Sequence, residues 1–157
     1  MALRPDREYN ETTEISYYWS SAAGQATQEK GGIASLEGTG GSGVSLDNVL
    51  NVAQYKTVGS GSIPLGVLLQ DVNPPLSATR DFKNFANMEV RPGEKVTLLR
   101  KGWLVSDMIS GTPAIGGTAY VGPSGLIATT SVDGAPACGR FESLVDADGF
   151  AKIYIDI

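Results

Sequence analysis

The sequence predicts a mainly β protein: a small antiparallel β-barrel or sandwich with an extended N-terminal arm. Twenty glycines and eight prolines in 157 residues favour many turns over long helices. Strand-like runs recur at intervals of roughly 8 to 15 residues between turn signals, a spacing typical of small barrels and sandwiches. Hydrophobic residues make up 41% of the chain, which is enough for the core of one domain.

Residues 1–35 are predicted to form the arm. Within "ISYYWSSAAG", Tyr17, Tyr18 and Trp19 make the segment too apolar for a purely disordered tail. The residues that follow hold too few hydrophobic side chains for a domain of their own. We therefore expect the three aromatic residues to anchor the arm at an interface with another protein. The alternative is that they cap this chain's own core.

Residues 36–90 are predicted to be a glycine-rich β-region with a short helix. Short apolar runs alternate with glycine-rich joints, and "GVLLQDV" is a further strand that the prolines of "NPPLSAT" end. Phe82, Phe85 and Met88 recur at every third position, which predicts one or two helical turns within 80–90.

Residues 91–157 are predicted to form a C-terminal β-barrel of strands joined by tight turns. After the turn "RPGE", the segment 95–105 is a strand that bends at Gly102. "TAYV" and "LIATT" form a hairpin around "GPSG", in which Gly125 takes the position that needs positive φ. "VDGAP" turns the chain into the strand "CGRFESLV".

The last predicted strand, "FAKIYIDI", follows the turn "DADG" and alternates in character. One face carries apolar side chains and the other polar or aromatic ones: Ile153, Ile155 and Ile157 against Lys152, Tyr154 and Asp156. This period of two is that of a strand with one face toward a core.

The charge and the single cysteine limit the partners and the compartment. A net charge of −5 argues against nucleic acid, because neutralising phosphates needs a basic surface. Arg91, Arg100 and Lys101 lie in a basic run diluted by acidic neighbours, which indicates a solvated strand face or a patch for an acidic protein. Cys138 cannot form an intrachain disulfide and is expected to be a buried, inert thiol. No segment resembles a signal peptide or a membrane span, so we expect a soluble protein made in the cytoplasm.

The sequence offers little for catalysis, cofactors or metals. It contains no histidine, which removes the commonest general base and the usual zinc sites. "GTGGSG" lacks the βαβ context of a dinucleotide site, and "DADG" lacks the rest of a calcium loop. Asp133 and Glu142 are not fixed near each other by any pattern. We find no aromatic platform for sugar around Trp19 or Trp103, and we expect neither enzymatic activity nor a cofactor.

Three segments together resemble the β-barrel domain of tailed-phage capsid decoration (cement) proteins: "EVRPGEKVTLLRKGWLV", "GTAYVGPSGLIATT" and "CGRFESLVDADGFAKIYIDI". Those proteins often show a PGEKV-type strand entry, a "YVG–SG" hairpin and a "G(R/K)–S–D–DG" turn into a final strand. The resemblance covers about residues 89–157, and its motifs are structural rather than catalytic.

The resemblance implies a virion protein on the outer surface of a phage capsid, made in the host cytoplasm. It would bind the major capsid protein, bridge neighbouring subunits and act as a homotrimer, with no catalytic residues. An alternative is another virion component, a head fibre or tail protein that binds host glycan through exposed aromatic rings. A carboxylate-dependent hydrolase is a third class, and it would need a concave pocket with two converging acids.

Overall fold

A computed structural model describes residues 3–4, 12–20, 28–36, 52–73, 89–90 and 95–157. These residues are nearly all β, which confirms the predicted fold class. The strands are β1 Leu3–Arg4, β2 Thr12–Glu14, β3 Tyr18–Trp19, β4 Gln28–Glu29, β5 Ile33–Leu36, β6 Val52–Gln54, β7 Pro64–Asn73, β8 Glu89–Val90, β9 Lys95–Ser106, β10 Ile109–Ser110, β11 Thr118–Val121, β12 Ile127–Ala128, β13 Ala137–Phe141 and β14 Ala151–Asp156. The predicted helix within 80–90 lies outside the described residues except for residues 89 and 90, which form β8. The predicted turn at 91–94 also lies outside them.

Five strands close into a barrel, called the ring below. They pair in the order β9, β3, β6, β5 and β7, and β7 pairs again with β9. The β3–β6 pair is parallel and the other ring pairs are antiparallel. The ring therefore takes strands from all three predicted segments and is not confined to 91–157, although the segment boundaries themselves stay predictions.

The remaining long sheet continues from the ring through β9. Its strands follow in the order β9, β14, β13, β11, β12 and β10, and we call this the C-terminal sheet. Residues 95–99 of β9 pair with β7, whereas residues 101–106 pair with β14. The partner changes next to Gly102, whose φ of 145° is readily adopted only by glycine. The edge of β9 opposite to β7 and β14 pairs with the two N-terminal strands. β1 pairs there with Ser106 and Val105, and β2 pairs with the segment from Lys101 to Leu98.

Two hydrophobic cores lie on opposite sides of the ring wall. One cluster takes at least one residue from each ring strand and fills the interior; among its members are Trp19, Ala34, Ala53, Leu68, Val96 and Leu98. The other packs the outside of the ring against the C-terminal sheet; among its members are Ile33, Val67, Leu99, Leu104, Phe141, Ile153 and Ile155. Because neighbouring residues on β5, β7 and β9 point to opposite cores, these strands are buried on both faces.

The predicted turns of the C-terminal sheet are confirmed. Pro123–Gly125 forms one 3₁₀ turn, with Gly125 at a φ of 80°, and Ser124 also has positive φ, at 54°, where only glycine was expected. In "DADG", the amides of Asp148 and Phe150 donate to Oδ1 of Asp146 at 3.0 and 2.8 Å. The final strand alternates as predicted, with Ile153 and Ile155 buried. Within the described segments, no helix is long and apolar enough to cross a membrane.

Candidate interaction surface

Trp19, a predicted interface residue, lies in the interior of the ring. It is 2% exposed, and its indole packs edge-on against Tyr55 with ring centroids 4.9 Å apart. The indole Nε1 is buried without a hydrogen-bond partner. The position of Trp19 matches the alternative in which the aromatic residues cap the chain's own core.

Tyr17 and Tyr18 are half-buried beside Trp19. Tyr17 packs against the core inside the ring, and its carbonyl accepts a hydrogen bond from the Val96 amide at 3.1 Å. The Tyr18 ring lies 5.3 Å from the Lys95 ammonium, within cation–π range. Their predicted part in an interface stays a prediction.

The three predicted basic residues are in different surroundings. Arg91 lies outside the described residues. Arg100 is half-buried, and its Nε is buried without a hydrogen-bond partner. Lys101 is exposed and pairs with Asp156, with Nζ and Oδ1 3.1 Å apart. The hydrogen bond to Asp156 is the main cause that raises the pKa of Lys101.

Tyr55 joins the ring to the hairpin of the C-terminal sheet. Its hydroxyl accepts from the Gly32 amide at 3.1 Å and donates to the Glu29 carbonyl at 2.6 Å. A Cβ on Gly125 would lie 2.5 Å from the Tyr55 ring, so only glycine lets the hairpin approach this closely. The Ser124 amide adds a hydrogen bond to the Lys56 carbonyl at 2.6 Å. Burial raises the pKa of Tyr55, which keeps the hydroxyl neutral.

Among the described residues, the thiol of Cys138 is buried, and the two acids Asp133 and Glu142 lie far from each other along one strand. Cys138 is fully buried, its Sγ lies 3.4 Å from the Ala119 carbonyl oxygen, and burial raises its pKa to about 12. Asp133 precedes β13 and Glu142 follows it, so the two acids lie at opposite ends of one strand. Within the described ranges, no three side chains among His, Cys, Asp and Glu are grouped to hold a metal ion.

The face of the C-terminal sheet that points away from the core carries a row of large side chains in register. Trp103 on β9 is opposite Tyr154 on β14, Tyr154 is opposite Arg140 on β13, and Arg140 is opposite Thr118 on β11. Together with the flanking residues Lys101, Glu142, Lys152 and Asp156, this row is called the outer face. Because one register places these side chains side by side, the outer face is a single continuous surface.

Contacts within the outer face hold its side chains together. The rings of Trp103 and Tyr154 are 5.0 Å apart between centroids and tilted by 51°. The Arg140 guanidinium lies 5.1 Å from the centre of the Tyr154 ring and donates to Glu142 at 3.1 Å. Both aromatic residues are half-buried and Arg140 is exposed. This row was not predicted, because alternation along a strand shows which side chains point outward but not which strands are neighbours.

The comparison that identifies a family for this chain is with a family profile. No curated protein matches the chain at a significant level. A family profile described as the XM1 gp53 minor capsid protein matches residues 16–155, which covers the ring strands from β3 onward and nearly all of the C-terminal sheet. The chain therefore belongs to the XM1 gp53 minor capsid protein family and is a structural protein of the phage virion.

Proposed function

We propose that this virion protein binds the outer surface of the phage capsid and cements neighbouring major capsid subunits, which stabilises the head. The observation that supports the proposal best is the outer face, a continuous surface of Trp103, Tyr154 and Arg140 on a sheet whose other face is packed core, because a cementing protein works through contacts with other protein chains, further copies of itself included. Tryptophan, tyrosine and arginine are the residue types most enriched at the energetic centres of protein interfaces.

The two-core fold suits attachment to a repeating lattice. Tyr55 and Gly125 lock the ring to the C-terminal sheet, so little freedom is lost when a rigid surface binds. A homotrimer, as proposed here, would let three modest contacts act as one through effective concentration. We expect no enzymatic activity, because the sequence lacks histidine and Asp133 and Glu142 lie apart.

A truncation that tests whether the N-terminal segment contributes to capsid binding must leave the ring intact. Removing residues 1–20 would also remove β3 and Trp19, a ring strand and part of the ring interior. We propose that Tyr17, Tyr18, Arg91, Arg100 and Lys101 contribute to the capsid contact. A truncation of residues 1–11 leaves β2 and β3 in place and tests the segment before them.

The test is to add the purified protein to phage heads that lack it and to image the particles. We expect extra density on the outer surface at positions between major capsid subunits, and a higher temperature for loss of packaged DNA. A Val58→Ala variant, changed at an exposed side chain away from the outer face, serves as the control. Density inside the shell, or confined to the tail, would contradict the proposal.

A second candidate is a head fibre or tail protein that binds host glycan. The adjacent rings of Trp103 and Tyr154 supply the aromatic pair that this candidate requires. This candidate ranks second because the Arg140 guanidinium lies over the Tyr154 ring, where a sugar would have to stack. Trp103 fluorescence titrated with host surface polysaccharide tests it, and no change up to millimolar sugar units would remove it.

A further inference from the structure

We propose that the outer face of one copy binds the loop of residues 143–150 of a second copy, so that copies join head to tail. This loop connects β13 to β14 and is called the acidic loop below. The inference deepens the proposed function and rests on it only for the number of copies in the closed assembly.

The outer face has the composition of an interface rather than of a solvated sheet. The side of a sheet that faces water normally carries small or polar side chains. Here Trp103 and Tyr154 meet at the middle of the face, with Arg140 next to them. The ion pairs Lys101–Asp156 and Arg140–Glu142 flank them, as polar rims surround the centres of interfaces.

The charge of the outer face indicates what it binds. Its basic residues are Lys101, Arg140 and Lys152, against the acidic residues Glu142 and Asp156. The face therefore has an excess of one positive charge on a chain of net charge −5. An aromatic surface with a small positive excess is complementary to a surface that offers apolar side chains beside acidic ones.

The acidic loop offers this combination. Leu144 and Val145 are 57% and 42% exposed, and they precede the exposed carboxylates of Asp146 and Asp148. Oδ1 of Asp146 accepts from two amides of the loop, and the Ser143 hydroxyl accepts from the Lys152 amide at 2.8 Å. Because these hydrogen bonds fix the backbone, the loop loses little freedom on binding.

The two surfaces are different parts of the same chain, so the contact between copies is heterologous. Heterologous contacts generate a closed ring of copies when the rotation closes, and an open filament otherwise. A closed assembly uses every outer face and every acidic loop, which leaves no apolar loop exposed and assigns the capsid contact to other surfaces, among them the proposed contact residues Tyr17, Tyr18 and Arg100. This arrangement agrees with the proposed homotrimer.

A charge swap tests the contact. Arg140→Glu and Asp148→Arg each place like charges across the proposed contact, and we expect each to weaken self-association at least about tenfold. The double variant restores opposite charges and should recover most of the loss. Sedimentation equilibrium measures this on the full chain, with Val58→Ala as a control expected to match the unmodified protein. Failure of the double variant to recover would overturn the pairing of face and loop.

Trp103 provides a second, local measurement. Trp103→Ala should weaken self-association by about 30-fold, which corresponds to the roughly 2 kcal/mol of an interface hot spot. The chain has two tryptophans, and Trp19 is buried, so iodide quenching of the unmodified protein reports Trp103 and should fall as copies associate. Circular dichroism checks that each variant is folded.

The outcomes separate this inference from the capsid proposal. A protein that stays monomeric at all concentrations but decorates heads overturns the contact between copies and leaves capsid binding intact. A protein that associates through Trp103 and never binds heads supports the contact and removes the capsid proposal. Self-association that Trp103→Ala leaves unchanged overturns the inference directly.

Discussion

The ring and the C-terminal sheet share β9 but are held together by different kinds of connection. Tight turns link β11 to β12 and β13 to β14, so most pairs of the C-terminal sheet form between strands close in sequence. The ring closes through pairs such as β3 with β6 and β3 with β9, whose partners are far apart along the chain. In the C-terminal sheet, β14 with β9 is a pair of this kind. Local chemistry therefore builds the C-terminal sheet, whereas the ring depends on packing around one interior.

The difference also divides the two regions by role. Strands β5 and β7 and the part of β9 that pairs with β7 contribute side chains to both cores, so the ring acts as a rigid support. The C-terminal sheet packs one face against a core, and its other face is the outer face, the proposed contact surface. A substitution at the contact between Tyr55 and Gly125, called the joint below, should therefore destabilise both regions. A substitution at a turn of the C-terminal sheet should lower the free energy of unfolding much less.

The largest effect is expected for Gly125→Ala, at the joint. The new Cβ would lie 2.5 Å from the Tyr55 ring at a φ of 80°. Positive φ costs a non-glycine residue about 1–2 kcal/mol, and overpacking adds about 1–3 kcal/mol. We expect the free energy of unfolding to fall by about 2–5 kcal/mol in chemical denaturation, with both regions unfolding in one transition.

Gly116→Ala is the matched control for this variant. Gly116 has a φ of 79°, and nothing lies within 4 Å of its added Cβ, so only the backbone cost applies. A loss for Gly125→Ala no greater than that for Gly116→Ala would show that the contact with Tyr55 does not couple the two regions.

Tyr55→Phe should have the next largest effect. The change leaves the buried Gly32 amide without its acceptor and the Glu29 carbonyl without its donor. A loss of about 1–3 kcal/mol is expected, which lowers the melting temperature by several degrees. Tyr120→Phe, at a half-buried tyrosine of the C-terminal sheet, is the control and should change it little.

The same variant has a signature in alkaline solution. The folded pKa of Tyr55 is raised above its ordinary value of 10.0, so its contribution is fully present below pH 10.0 and is lost as the pH rises further. The unmodified protein should therefore lose stability above this pH more steeply than Tyr55→Phe does. Parallel slopes for the two proteins would contradict the buried, neutral hydroxyl.

The sequence predicts the C-terminal sheet better than it predicts the ring. Gly125, Gly134 and Gly149 stand at turn positions of positive φ, so the turns of the C-terminal sheet were predicted. The strands were predicted less closely: the strand predicted from Cys138 ends at Phe141, and β10 was not predicted. β3 and β6 have two and three residues, and no local pattern at Tyr18 or Trp19 shows that their partner begins at Val52.

The candidate site was predicted in part for the same reason. Tyr154 was placed on the outward face of its strand, and the predicted interface role of Lys101, which lies on the same face, stays a prediction. The row from Trp103 to Thr118 was missed, because it depends on the register between four strands. Residue types mark a strand and its faces, but register is set by the tertiary packing that the whole chain makes.

A smaller effect is expected for Asp146→Ala, within a turn of the C-terminal sheet. It removes the acceptor of the Asp148 and Phe150 amides, and a loss of about 1 kcal/mol is expected because water can replace bonds at an exposed turn. Hydrogen exchange should accelerate in β13 and β14 and stay unchanged in β5 and β7. Asp146→Asn keeps an oxygen acceptor and should recover most of the loss; equal losses for the two variants would argue against the hydrogen bonds.

The smallest effect concerns Glu14, where the segment before the ring runs along β9. The hydrogen bond from the Ser16 side chain is the main cause that lowers the pKa of Glu14 below its ordinary value of 4.5; the bond from the Ser16 amide, at 2.9 Å, and the charge of Arg100 add to it. A lowered folded pKa stabilises the protein above pH 4.5, and this stabilisation is lost as the pH falls through the folded pKa.

Glu14→Gln should therefore lose stability less steeply below pH 4.5 than the unmodified protein does. Arg100→Gln should raise the pKa of the Glu14 carboxyl in an NMR titration without restoring its ordinary value, because the Ser16 amide still donates. An unshifted Glu14 titration in the unmodified protein would mean that the local hydrogen bonds from Ser16 to this carboxylate do not form in solution.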